Sequence, residues 1–175
     1  MSKIELYNCS CLDQNVDAVV NAANRYLASG GGICGAIFNK AGHSSLTDAC
    51  SKIKTLLNDG DAVITPAFNI MNAKYIIHAV GPDFNIKPNA FEDLFSAYYN
   101  SLKVLKENNL HSISFPLISS GIFGGSLSNP AYTSSKECLK AYNKFIEENK
   151  DYDIDVRICA YSSSEYEEVK KLFIN

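Results

Sequence analysis

The chain has 175 residues, a length that suits one domain rather than two. Hydrophobic residues make up 46% and charged residues 20%, an ordinary globular balance that excludes a need for disulfide or metal staples. The net charge of −3 argues against a partner held by a broad basic face, nucleic acid above all, but leaves an anionic small ligand open.

Lys3–Tyr7 reads as a short strand. Cys9 and Cys11 follow it, and Cys34, Cys50, Cys138 and Cys159 complete a set of six. The chain opens with no basic stretch leading into an apolar core, and no apolar run reaches bilayer length. A cytoplasmic protein with free thiols and no membrane segment is therefore expected. One residue between Cys9 and Cys11, with no second Cys/His pair nearby, fits no zinc spacing, and no metal or other cofactor is expected.

Ala18–Val20 is a buried apolar run that ends abruptly at Asn21. Ile33–Ala41 and Leu46–Leu57 have helical spacing. Ala62–Thr65 is a strand stopped by Pro66, and Lys74–Val80 is a second one stopped by Gly81-Pro82. His78, inside that apolar strand, reads as a structural histidine rather than a catalytic one. Pro82–Ala90 is the expected mobile loop, too short to divide domains. Phe91–Asn108 carries Leu94, Tyr98, Leu102 and Leu105 on one face of an amphipathic helix. Ser112–Leu117 is a strand, Asn129–Asn149 a long helix and Ile154–Tyr161 the last strand. Ser164–Phe173 closes as a helix, with Ser164 the expected N-cap and Glu167 in the capping-box position. This alternation predicts one α/β domain over residues 1–175, with a largely parallel sheet covered by helices on both faces. Ligands of such sheets bind beyond the carboxyl ends of the strands.

Two loops in that position are rich in glycine. The first, Asn21–Gly35, leaves a buried strand, passes Gly30-Gly31-Gly32 and enters a helix, where unpaired N–H groups can face a phosphate. The second, Ser119–Gly125, also follows a strand; its small residues can wrap a phosphate while Ile122 and Phe123 lie over a sugar. Each alone is also readable as a plain turn, but two such loops after neighbouring strands favour a shared cleft. Neither ends in Gly-Lys-Ser/Thr, and neither has the Gly-x-Gly-x-x-Gly spacing with a following acid, so neither NTPase nor dinucleotide chemistry is indicated.

Four blocks carry a resemblance to the macrodomain family: Val16–Asn24, Gly30–Gly42, Lys74–Pro82 and Phe115–Gly124. Their order and their spread over most of the chain make the match specific. Within the family the chain looks most like the branch that hydrolyses ADP-ribosyl linkages and deacetylates O-acetyl-ADP-ribose. The resemblance implies a three-layer α/β/α sandwich with a mixed, mostly parallel sheet and an ADP-ribose cleft at its crest. It implies that Asn24 bonds the distal ribose and holds a water, and that Ala22 and Gly30, Gly31, Gly32, Ile33 and Cys34 line that end. Ser119, Ser120, Gly121, Ile122 and Phe123 would wrap the diphosphate. Tyr161 would lie against adenine, although a tyrosine at the edge of the core is the alternative reading.

Two departures stand out. Where the family usually carries Gly-Asp-Ile, with the Asp on the adenine amino group, this chain has Cys9-Ser10-Cys11. Ser10 can accept a hydrogen bond without the strength of a charge-assisted one, and Asp13 is the nearest carboxylate. Where the best-known hydrolytic branch has an Asp and, four residues later, a His, this chain has Cys34 and Phe38, so no general base stands at either position. Alphavirus macrodomains also have a Cys at the Cys34 position and are regarded as hydrolases. Cys34, at a helix N-terminus, is open to two readings: a thiol of lowered pKa able to act as a nucleophile, or a small side chain packed under the cleft. The resemblance thus implies either a hydrolase resting on Asn24 and Cys34 or a reader that binds ADP-ribose without turnover. The expected partner is ADP-ribose or a protein carrying it, met by a monomer. Some macrodomains bind poly-A, but no Lys/Arg cluster flanks either glycine loop here.

Overall fold

The computed structural model describes residues 1–53 and 55–174. The apolar run at Ala18–Val20 extends into an eight-residue strand, Val16–Ala23, and its neighbour Ala73–Val80 is as long. These are β2 and β4; β1 (Lys3–Tyr7), β3 (Ala62–Pro66), β5 (Ser112–Phe115) and β6 (Asp155–Cys159) complete one sheet in the spatial order β1-β6-β5-β2-β4-β3. All neighbours run parallel except β3 and β4, an antiparallel edge pair in which Ile64 meets Ile77. The expected mixed, mostly parallel sheet is the one observed.

Helices α1 (Gly32–Ala41) and α2 (His43–Ser51) cover one face of the sheet, and α3 (Phe91–Glu107), α4 (Pro130–Glu148) and α5 (Ser163–Lys170) cover the other. Each central strand feeds both cores through its alternation of side chains. From β2 and β4, Ala18, Val20, Ile77 and Ala79 join Leu94, Tyr98, Leu102 and Phe145. Val19, Ile76 and Val80 join Ile37, Phe38 and Leu46 on the opposite face. Burying a large apolar side chain of this kind stabilises the fold by about 1.5–3 kcal/mol. Among the described residues no helix is long and apolar enough to cross a membrane.

Three sequence expectations change. The helix expected over Leu46–Leu57 runs instead from His43 to Ser51. Gly42, at φ 106°, breaks α1 and starts α2 at once, and beyond it the Leu57 N–H is drawn to the Arg25 carbonyl. Lys54 lies outside the described residues. The strand expected to reach Leu117 stops at Phe115, before Pro116, which has no N–H for the ladder. The last helix begins two residues early: Ser162, not Ser164, is the N-cap, and Glu165, not Glu167, closes the capping box. Both pairs have the right spacing. The Ala160 N–H is fixed on the Tyr7 carbonyl at the end of β6, so the chain must turn immediately. The loop Pro82–Ala90 is gripped in its middle: Phe84 is buried and donates its N–H to the Phe123 carbonyl at 2.8 Å.

Candidate functional site

The carboxyl ends of β1, β6, β5 and β2 lie side by side, and their loops enclose a cleft of about 790 Å³. Three strand spacings make this crest about 14 Å long. Every site residue expected from the sequence lines it. Ser10 and Cys11 follow β1, Tyr161 follows β6, and Ser119, Ser120, Gly121, Ile122 and Phe123 follow β5. Ala22 and Asn24 stand at the end of β2, with Gly30, Gly31, Gly32, Ile33 and Cys34 at the entry to α1.

At the β2 end the surface is backbone. Asn24 braces its own loop: its Oδ1 accepts from the N–H groups of Tyr26 and Ala28, and its Nδ2 donates to the Ala28 carbonyl at 2.8 Å. One amide hydrogen of Asn24 remains for a ligand or water. Leu27, buried, is held at φ 56° inside this turn. Gly32 also sits at φ 56°, whereas a Cβ on Gly31 would meet nothing within 4 Å. The run is therefore one conformational glycine preceded by glycines that leave space open. Gly35 lets the loop fold back, because a Cβ there would lie 2.6 Å from the Gly30 carbonyl oxygen. No side chain caps α1, so its leading N–H groups and the positive end of its dipole are presented to the cleft.

The β5 loop is held from beneath. The Tyr98 hydroxyl accepts from the Ile118 N–H at 3.0 Å, and the Ser134 hydroxyl donates to the Ile118 carbonyl, so the peptides on both sides of Ile118 are fixed. The next residue, Ser119, takes φ 58° and donates its hydroxyl to the Pro82 carbonyl at 2.7 Å. Non-glycine residues in this region cost energy and persist only where their surroundings impose them. One occurs in each of the two glycine loops, Leu27 after β2 and Ser119 after β5. Asn85 adds a bond to the Ile122 carbonyl, which leaves the Ile122 side chain 90% exposed at the rim.

Below the β2 end, His78 is buried between Asn21 Nδ2, 3.0 Å from its Nδ1, and Thr65 Oγ1, 2.9 Å from its Nε2. Burial lowers its pKa to about 4, so it is a neutral structural imidazole, as its apolar strand suggested. Of the two readings of Cys34, burial favours the packed one. Burial raises its thiol pKa, and contacts with the Gly30 backbone and Asn21 only partly oppose this. Its Sγ points to the Ala28 carbonyl at 3.6 Å. The uncapped helix end does not overcome desolvation, and the packed reading of Cys34 holds. Phe38, one turn on, lies in the core.

At the β1–β6 end the surface is side chains. Ser10 is braced locally: its hydroxyl accepts from the Leu12 N–H and keeps its own hydrogen and a second lone pair, while the Asp13 carboxylate accepts from the Ser10 N–H. Asp13 does not line the cleft. Cys9 and Cys159, which the sequence did not single out, join Cys11 on the floor, and burial pushes the Cys11 thiol up to about 12. Tyr161 is 78% exposed, so it is a rim residue and not part of the core. Beside it stands Glu165, among the described residues the only charged side chain lining the cleft. Sequence reasoning missed it, although Ser162-x-x-Glu165 carried the signal as a second possible capping box. Among the described residues no group of three or more His, Cys, Asp or Glu is arranged to hold a metal ion.

Residues 20–132 match the Macro domain family model. The ADP-ribose glycohydrolase MACROD1 of Mus musculus is 40% identical over 91% of this chain, which spans 48% of that protein, about half its length. An Oceanobacillus iheyensis macrodomain solved with ADP superposes with a TM-score of 0.88 at 30% identity, over 98% of this chain and 90% of that one. A Trypanosoma brucei macrodomain solved in complex with ADP-ribose superposes at 0.83 and 29% identity, over 98% and 69%.

Proposed function

The chain belongs to the macrodomain family, and from that premise we propose that its cleft binds ADP-ribose and that the protein removes mono-ADP-ribose from modified proteins or deacetylates O-acetyl-ADP-ribose. One observation carries the reading. Two loops after neighbouring strands face each other across a cleft that no Lys or Arg among the described residues lines, one of them opening an uncapped helix. Backbone N–H groups and a helix dipole suit a diphosphate better than any neutral or cationic ligand. The crest also has room on both sides of that point. A base fits against the exposed ring of Tyr161, and a sugar fits beside Asn24 and Phe123.

In this reading Asn24 orients the distal ribose and a water beside its anomeric carbon. No side chain at that end can serve as a base, so a diphosphate oxygen of the ligand takes the proton from the attacking water. The new bond forms between water oxygen and the anomeric carbon as the bond to the protein's carboxylate oxygen breaks. A carboxylate leaves without a general acid, which suits a site that offers none.

Release of free ADP-ribose from a protein mono-ADP-ribosylated on Asp or Glu tests the proposal. Asn24→Ala is expected to lower kcat about 100-fold, as for loss of a positioning group, while ADP-ribose affinity falls less than tenfold. The lack of a titratable base beside Asn24 favours a second reading, a module that binds ADP-ribose without turnover. Tight binding with no release over hours would establish that reading in place of the first.

A further inference from the structure

We propose that Glu165 makes the cleft selective for ADP-ribose whose adenosine 2′-hydroxyl is free, rejecting ligands that bear a phosphate or a further ADP-ribosyl unit there; this rests on the ADP-ribose reading above. By covalent constitution the adenosine ribose lies between the base and the diphosphate. In the cleft those neighbours are marked by Tyr161 and by Ser120. Glu165 stands between them, because it lines the cleft beside Tyr161 and also a second pocket of about 330 Å³ that shares Ser120. Its carboxylate thus meets the ribose on the side where the wall opens.

The carboxylate is already oriented for that contact. Oε1 accepts from the Ser162 N–H at 3.2 Å and from the Ser162 hydroxyl at 3.0 Å, which fixes the side chain in the first turn of α5. Oε2 has no partner among the described residues. A carboxylate oxygen only accepts, and a vicinal ribose diol supplies two donors. Doubly wound dinucleotide sites read a free 2′-hydroxyl with an acidic residue in the same way, and accommodate a 2′-phosphate with an Arg.

The second pocket is where any 2′-substituent would have to go. Glu168, one turn after Glu165, lines it as well, and among the described residues no basic one does. The opposing influence is the start of α4 at Pro130, which no side chain caps. A helix end is equivalent to roughly half a positive charge. The Glu165 carboxylate, joined by Glu168 whose charge is partly offset by Lys171 Nζ at 3.8 Å, outweighs it, so an entering phosphate is repelled while a hydroxyl is held. Glu165→Gln keeps the acceptor that caps α5, so the fold survives the test.

Calorimetry at fixed ionic strength with ADP-ribose and its 2′-phosphate, on the wild type, Glu165→Gln and Glu168→Gln, decides the matter. The wild type is expected to bind the 2′-phosphate at least about 30-fold more weakly, as like-charge juxtaposition dictates. Glu165→Gln should shrink that ratio at least about fivefold, and Glu168→Gln should shrink it about twofold without changing ADP-ribose affinity. Equal wild-type affinities, or a ratio that Glu165→Gln leaves unchanged, would overturn the proposal while ADP-ribose binding stands. A wild type that binds neither ligand would overturn the ADP-ribose reading and this inference with it.

Discussion

At the β2–β5 end of the cleft the ligand-facing surface is main chain: Gly30, Gly31 and Gly121 add nothing beyond it, and Leu27 and Ser119 are held at positive φ to shape it. At the β1–β6 end it is side chain: Cys9, Cys159, Tyr161 and Glu165. The first surface has one polar side chain, Asn24, whose chemistry can be removed, and otherwise depends on an undisplaced backbone. The second can be retuned by single substitutions without touching the fold. Of the two departures read from the sequence, the one at Ser10 falls at the side-chain end and the one at Cys34 at the main-chain end.

The largest expected effect tests the support under the main-chain end. His78 has a folded pKa of about 4 against an ordinary 6.5, so between those values the unfolded chain takes up a proton that the folded one refuses. Its contribution is whole above pH 6.5 and lost as pH falls through that window, up to about 3 kcal/mol. Urea unfolding from pH 7 to pH 4 should show this slope, and His78→Gln should flatten it; an unchanged slope would mean the imidazole is charged in place. Next comes Gly81→Ala. Its Cβ would run into Ile118 Cγ2 and Ser119 Oγ, so overpacking should cost about 1–3 kcal/mol. A melting temperature lower by several degrees, with ADP-ribose binding impaired, is the expected result.

Tyr161→Ala examines the other end. With its ring 78% exposed, the melting temperature should not move, while ADP-ribose affinity falls by about 1–3 kcal/mol, the worth of a base stack. Binding of ribose 5-phosphate, which has no base, should stay unchanged; a loss there would break the division between the two ends. The smallest effect belongs to Gly31→Ala. Its φ of −86° suits any residue and its Cβ meets nothing, so stability should stay within about 0.5 kcal/mol. Calorimetry should nonetheless register a weaker ligand, because the added methyl occupies the space the glycines leave open.

Much of this was legible before folding. The strands and the long helices follow from periodicity, and the two glycine loops point to their partner by lying after strands that prove adjacent, β2 and β5. His78 was readable because an imidazole in an apolar strand must be neutral and bonded. Cys34 was not, because its pKa is set by competition between a helix end and burial, and only burial counts distant neighbours. Ser10 lines the cleft as its place after β1 implied, but the turn its hydroxyl closes with Leu12 was not legible.

Glu165 marks the boundary between the two kinds of knowledge. Sequence alone determined that a serine near the end of the last strand would cap a helix with an acid three residues on, and that Gly30–Gly32 would open a loop without side chains. These effects act through a residue's own backbone and its next few neighbours. Tertiary structure alone decided that Ser162 and Glu165 form the box, because β6 is held to β1 at Tyr7 and must turn there. It alone decided that Glu165 is the one charge lining the cleft among the described residues and that Cys34 is a buried thiol, since burial and electrostatic surroundings are sums over residues far apart in the chain.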